Sequence, residues 1–219
     1  MTVEIDKDLV ALHRAVLSMG AVARERVSQA FRSLLDHDVA LATIVREGDR
    51  EIDEMELDID EECLKILALQ GPVAGDLRYV LAILRINQDL ERIADFAKSI
   101  AKRVIDMQYA EPVSFPPMIS LMANATEKML ADALRSLADR DAELAKRVRR
   151  DDQYVDERNR EVFTWAIDEV ATHGDQARSI IDIVSAARSI ERIADLSTNI
   201  AEDVVFAVGG EVLRHKPPA

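Results

Sequence analysis

The feature that most constrains this chain is a duplication. The stretch Glu91-Arg92-Ile93-Ala94-Asp95 returns letter for letter as Glu191-Arg192-Ile193-Ala194-Asp195, and Ile83/Ile183, Ile100/Ile200, Ala101/Ala201 and Val104/Val204 repeat around it. Upstream, residues 31–54 align with 134–157 and match at twelve of 24 positions, among them Ser33, Asp38, Asp49, Asp53 and Glu54. Two matching blocks in the same order mean an internal repeat of about a hundred residues, so whatever one half folds into, the other folds into again. The offset changes between the blocks near a turn that reads Gly71-Pro72 in the first copy and His173-Gly174 in the second.

Each copy reads as three helices. Residues 8–36 place Leu9, Leu12, Val16, Met19, Val22 or Ala23, Val27, Ala30 and Leu34 at helical spacing. Asp36-His37-Asp38 is a polar break with Asp38 as an N-cap, and a second helix runs to about Leu69, with Gly48 tolerated inside it. Gly71-Pro72 ends that helix, and a third covers about 74–109. The Pro-rich segment 110–117 separates the copies. The second copy repeats the plan over about 118–138, 141–172 and a last helix to Val208. Period-two alternation is absent, so the expected class is all-α: a tandem repeat of two antiparallel three-helix bundles, 8–109 and 118–208, followed by a tail at 209–219.

Composition narrows the chemistry. A net charge of −13 argues against nucleic acid, whose affinity for proteins rests on Lys and Arg. Cys63 is the single cysteine, which rules out an intrachain disulfide and fits a reducing cytosol. The N-terminus lacks the basic and apolar regions of a secretory signal, and no apolar run reaches membrane-spanning length. A soluble, cytoplasmic protein is expected, meeting a membrane only through partners.

The acidic residues carry the most information. Taking 100° per residue, Glu91 and Asp95 lie on the side of the third helix opposite its apolar stripe, as do Glu191 and Asp195. Asp49/Asp53 and Asp152/Asp156 form further i,i+4 pairs on the preceding helices. Around the Gly71-Pro72 turn the two pairs of a repeat come level in height, so four carboxylates per repeat can meet at one patch. Like-charged i,i+4 pairs cost ~0.2–0.5 kcal/mol each, and a cation with oxygen ligands removes that repulsion. The expected metal ligands are therefore Asp49, Asp53, Glu91 and Asp95 in one repeat and Asp152, Asp156, Glu191 and Asp195 in the other. All-carboxylate ligands admit Mg, Mn and Fe, and adventitious Zn or Ni. No ExxH stands on any helix, so a buried carboxylate–histidine di-iron bundle does not fit.

Duplicated three-helix repeats carrying Asp49-x-x-x-Asp53, Glu91-x-x-x-Asp95, Asp152-x-x-x-Asp156 and Glu191-x-x-x-Asp195 resemble the PhoU family of bacterial phosphate-uptake regulators, over about residues 8–208. The resemblance implies multinuclear metal clusters at those motifs. It implies a non-enzymatic cytoplasmic adaptor, expected as a homodimer, that represses the phosphate-starvation response. Its implied partners are a sensor histidine kinase and the ATPase subunit of the phosphate ABC transporter. Two other readings use the same carboxylates: a metal-dependent phosphohydrolase, and a metal-free acidic scaffold for basic partners. Arg92 and Arg192 are expected to point 60–100° away from the carboxylates, which weakens the first of these. The four histidines are scattered and form no ligand set, and Cys63 is expected to be a packed thiol. Lys98, Lys102 and Arg103 face Thr198, Glu202 and Asp203 at equivalent positions, an asymmetry that could give the two lobes different partners.

Overall fold

The computed structural model describes residues 2–48, 50–111 and 113–213, with the side chains of 2–4 left out. These residues form seven α-helices: α1 Thr2–Leu35, α2 Val39–Glu47, α3 Arg50–Gln70, α4 Ala74–Met107, α5 Pro117–Asp139, α6 Ala142–Thr172 and α7 Ala177–Gly209. A short 3-10 turn, Gly174–Gln176, precedes α7. Among the described residues there is no strand.

The duplication is legible at the level of single hydrogen bonds. His37 and Arg140 occupy the left-handed region at φ 53° and 52°, closing α1 and α5. The next amides, of Asp38 and Asp141, donate to the carbonyls of Ser33 and Ser136 at 2.9 Å, the six-to-one bond that satisfies a helix end. The same two aspartates then cap the following helices. The Asp38 carboxylate accepts from Leu41 N–H, and that of Asp141 from Glu143 and Leu144 N–H, each at 2.9 Å.

The second helix of the first repeat departs from expectation. It is two helices, with Gly48 as the C-cap of α2, donating to Ile44 O at 3.2 Å. The Arg26 guanidinium from α1 lies where a Cβ at Gly48 would stand. In the second repeat the equivalent position is Asp151, and α6 runs through without a break. The first helix also begins earlier than expected, at Thr2.

The two bundles share one core. α4 and α7 pack along their length, α1 lies on α4 and α5 on α7, and α1 meets α5. This central four-helix layer is flanked by α2 and α3 on one side and by α6 on the other. The buried residues form one continuous cluster across both repeats, with Leu12, Ile86, Ile93, Ile100, Met122, Ile190 and Ile200 all fully enclosed. Gly20 lies against Leu134 of α5: a Cβ there would stand 2.6 Å from Leu134 Cδ2.

The antiparallel α4/α7 seam explains the unequal charges at equivalent positions. Arg103 Nη1 reaches Asp182 on α7 at 3.2 Å, and Arg85 Nη1 reaches Asp203 at 3.1 Å. Arg149 on α6 holds Glu202 at 2.8 Å, both almost fully buried. Arg103, Glu202 and Asp203 therefore serve contacts inside the chain and are not an outer docking face.

Candidate metal centre

The second repeat brings its acidic residues together. Asp156 on α6 and Glu191 and Asp195 on α7 each present a carboxylate oxygen within 4.8 Å of the others. Asp152, one turn before Asp156, is close enough to interact electrostatically with all three. The group lies half-buried at the α6/α7 seam and not on the outermost surface expected from helical arithmetic. Burial shows in the protonation. The Asp152 carboxyl is pushed up to about 7, first by desolvation and then by the charges of Asp195, Asp156 and Glu191. Glu191 is raised by burial and by Asp195, and Asp195 by burial, with Arg192 opposing the shift.

Arg192 does not point away. Its Nη1 donates to Asp195 Oδ2 at 2.9 Å, and its Nε lies 3.7 Å from Glu191 Oε2. Arg92 behaves as expected of an outward residue and touches Asp89 at 3.7 Å. Arg192, with Arg188 acting on Glu191, thus offsets part of the negative charge in the second repeat.

The first repeat is looser. Glu91 rises to about 6, by burial and then by the charges of Asp95, Glu56 and Asp53. Asp53 and Asp95 are exposed, and among the described residues no three ligand atoms of this repeat come as close as those of the second. Asp49 lies outside the described residues, next to the α2/α3 break. Hard cations take carboxylate oxygens, and the donor set in the second repeat consists of these alone, converging and short of counter-charge. The residues present fit a divalent or iron-type cation.

Comparison with known proteins agrees with this architecture. The family model for the PhoU domain matches residues 16–104 and again 119–204. The chain belongs to the PhoU family. The phosphate-specific transport system accessory protein PhoU homolog of Pseudomonas aeruginosa is 35% identical over 217 residues, 97% of this chain and 88% of that protein. The PhoU accessory protein of Escherichia coli K12 is 31% identical over 216 residues, again 97% and 88%. The crystal structure of PhoU from Pseudomonas aeruginosa superposes with a TM-score of 0.90 at 34% identity, covering 94% of this chain and 99% of that one. That of the phosphate transport system regulatory protein PhoU from Streptococcus pneumoniae gives 0.88 at 27% identity, covering 95% and 98%.

Within this PhoU fold, sequence reading missed Glu56. It lies on α3 one turn beyond Asp53, its carboxyl is raised by burial and by Asp60 and Asp53, and its charge reaches Glu91. The i,i+3 spacing from Asp53 was the available signal. Its counterpart in the second repeat is Asn159, so the two repeats carry different donors there. His13 faces the Tyr79 hydroxyl at 2.5 Å and lies far in sequence from either cluster. Cys63 is buried and its thiol is pushed up to about 12 by desolvation, in keeping with a packed and unreactive side chain. No helix among the described residues is long and apolar enough to cross a membrane.

Proposed function

We propose that this chain is a metal-loaded, non-enzymatic regulator of phosphate uptake. It represses the phosphate-starvation response and acts in the cytoplasm, as a homodimer, on a sensor histidine kinase and the ATPase of the phosphate transporter. Its relatives are named as accessory proteins of the phosphate-specific transport system, which supports the regulatory role and the absence of catalysis. The observation that carries the metal reading is the convergence of Asp156, Glu191 and Asp195, with Asp152 beside them. Repulsion among them is a cost that a bound Mg, Mn, Fe or Zn ion removes. Asp53, Glu91 and Asp95, with Asp49, serve the other repeat in the same way.

The test is genetic and chemical. Deleting the gene in the source organism leaves phosphate-scavenging genes on in phosphate-rich medium. The parent restores repression, and Glu191→Gln with Asp195→Asn restores it only weakly. Elemental analysis of protein purified without chelator or nickel finds metal in the parent and less in the double variant. Normal repression in the deletion strain sinks the adaptor role, and metal-free parent protein sinks the metal reading.

A further inference from the structure

The duplication provides an internal control for every surface, and one surface differs sharply between the copies. Between α2 and α4 lies an open groove of ≈ 540 Å³, lined by Arg46, Arg92, Asp95, Phe96, Lys98 and Lys102 together with Ser99. Four cations and one carboxylate line it, with Arg92 already paired to Asp89, on a chain whose net charge is −13. At the equivalent place in the second repeat stand Arg149, Arg192, Asp195, Leu196, Thr198 and Glu202. Glu202 holds Arg149 at 2.8 Å and closes the α6/α7 surface, whereas its counterpart Lys102 faces Arg46 with a second positive charge. Leu196 is buried, but Phe96 is only partly covered.

The chain's own tail covers part of the closed side. Arg149 Nη2 donates to Leu213 O at 3.5 Å, Glu211 lies 3.9 Å from Lys146, and the Leu213 side chain is buried in the core cluster. The backbone carbonyl of a leucine anchor thus seats itself beside Arg149, the counterpart of Arg46, while the acidic residue two positions before it pairs with Lys146, whose counterpart is Thr43. The first repeat offers the same guanidinium position, more positive charge and a half-covered aromatic ring.

We propose that the groove between α2 and α4 docks an acidic, leucine-anchored segment of a partner protein. Carboxylates of the segment pair with Arg46 and Lys102, and its apolar side chain packs on Phe96. Such charge-steered contacts favour fast association and weaken as salt rises. The inference goes beyond the regulatory reading and does not require a metal, since Arg46 and Lys102 line the groove without one.

The test uses the full chain in chelator and a fluorescein-labelled synthetic peptide of repeated Glu-Glu-Leu units, read by anisotropy. Lys102→Glu places a carboxylate opposite Arg46 as Glu202 stands opposite Arg149, so this variant folds and closes the groove. It weakens peptide binding by about tenfold or more, the equivalent of ~1.4 kcal/mol. Arg46→Gln, at an exposed position, weakens it similarly, and Arg150→Gln on the second repeat leaves it unchanged. Phosphatidylserine vesicles and single-stranded RNA serve as separate arms. The proposal is overturned if the peptide fails to bind the parent, or if Lys102→Glu and Arg46→Gln bind as the parent does. It is equally overturned if Arg150→Gln loses as much, or if vesicles or RNA, and not the peptide, respond to Lys102→Glu.

Discussion

Replacing Asp152 by asparagine separates a carboxylate that only repels its neighbours from one that holds a cation. In the metal-free chain the Asp152 carboxyl sits at about 7 against an ordinary 3.8, because burial and three nearby acids disfavour its charge. A carboxyl raised on folding binds its proton more tightly in the folded state, so the folded chain is favoured at low pH and loses that advantage as pH climbs from about 4 through about 7. At ~1.4 kcal/mol per unit the full shift corresponds to roughly 4 kcal/mol. Solvent reaches this half-buried group, and screening reduces the figure to about 2 kcal/mol. For a chain of this size that is roughly 4–8 °C in Tm. In chelator, Asp152→Asn therefore melts above the parent by that margin near pH 8, and the two coincide near pH 4. With Mn at about 100 times its Kd, the parent gains about 2.7 kcal/mol by linkage, and the amide, a ligand weaker by about 50-fold or more, gains less than about 0.7 kcal/mol. The order of Tm values near pH 8 then reverses. Thermal melts by circular dichroism across pH, with chelator and with Mn, check both halves. A separation that stays constant with pH refutes the electrostatic coupling, and an order that metal never reverses refutes Asp152 as a ligand.

Two further expectations concern the shared core. Gly20→Ala puts a methyl group 2.6 Å from Leu134 Cδ2, so α1 and α5 must move apart or Leu134 must leave its rotamer; a loss of about 1–3 kcal/mol in urea unfolding is expected, against a gain if the helices were not in contact. Arg149→Met strands the buried Glu202 carboxylate and costs about 3–5 kcal/mol, while adding Glu202→Met recovers most of it, which a double-mutant cycle by denaturant melts reads directly.

Local signals were fully legible in the sequence. Asp38 could be read as a cap, and Gly71-Pro72 as a stop, because a short polar side chain or a left-handed glycine satisfies a helix end with groups a few residues away; Asp141, its repeat counterpart, caps α6 in the same way. The break at Gly48 was not legible, since one glycine is tolerated inside a helix, and the Arg26 guanidinium that occupies the space beside it comes from another helix. Helical arithmetic located the Cβ of Arg192 correctly but not its charge, because a long side chain can swing back over a turn to reach Asp195. The same arithmetic put the carboxylates on an outer face, whereas the neighbouring helix half-covers them. Packing between helices, not periodicity within one, decides how much water a site keeps.

The seam between α4 and α7 shows what fusing two copies permits. In a pair of identical repeats related by a two-fold axis, residues at equivalent positions carry the same charge, so each helix must supply both partners of every ion pair. Here Arg103 and Asp203 are equivalent in sequence and opposite in charge, and each reaches across to the other repeat, Arg103 to Asp182 and Asp203 to Arg85. The partners Asp182 and Arg85 stand about one turn apart in repeat numbering. Once position 203 is acidic, its neighbour Glu202 can hold Arg149 and seal the second repeat, while Lys102 keeps the first repeat open. The differences at 102/202 and 103/203 thus act together: one secures the halves to each other, and the adjacent one makes their outer grooves unequal.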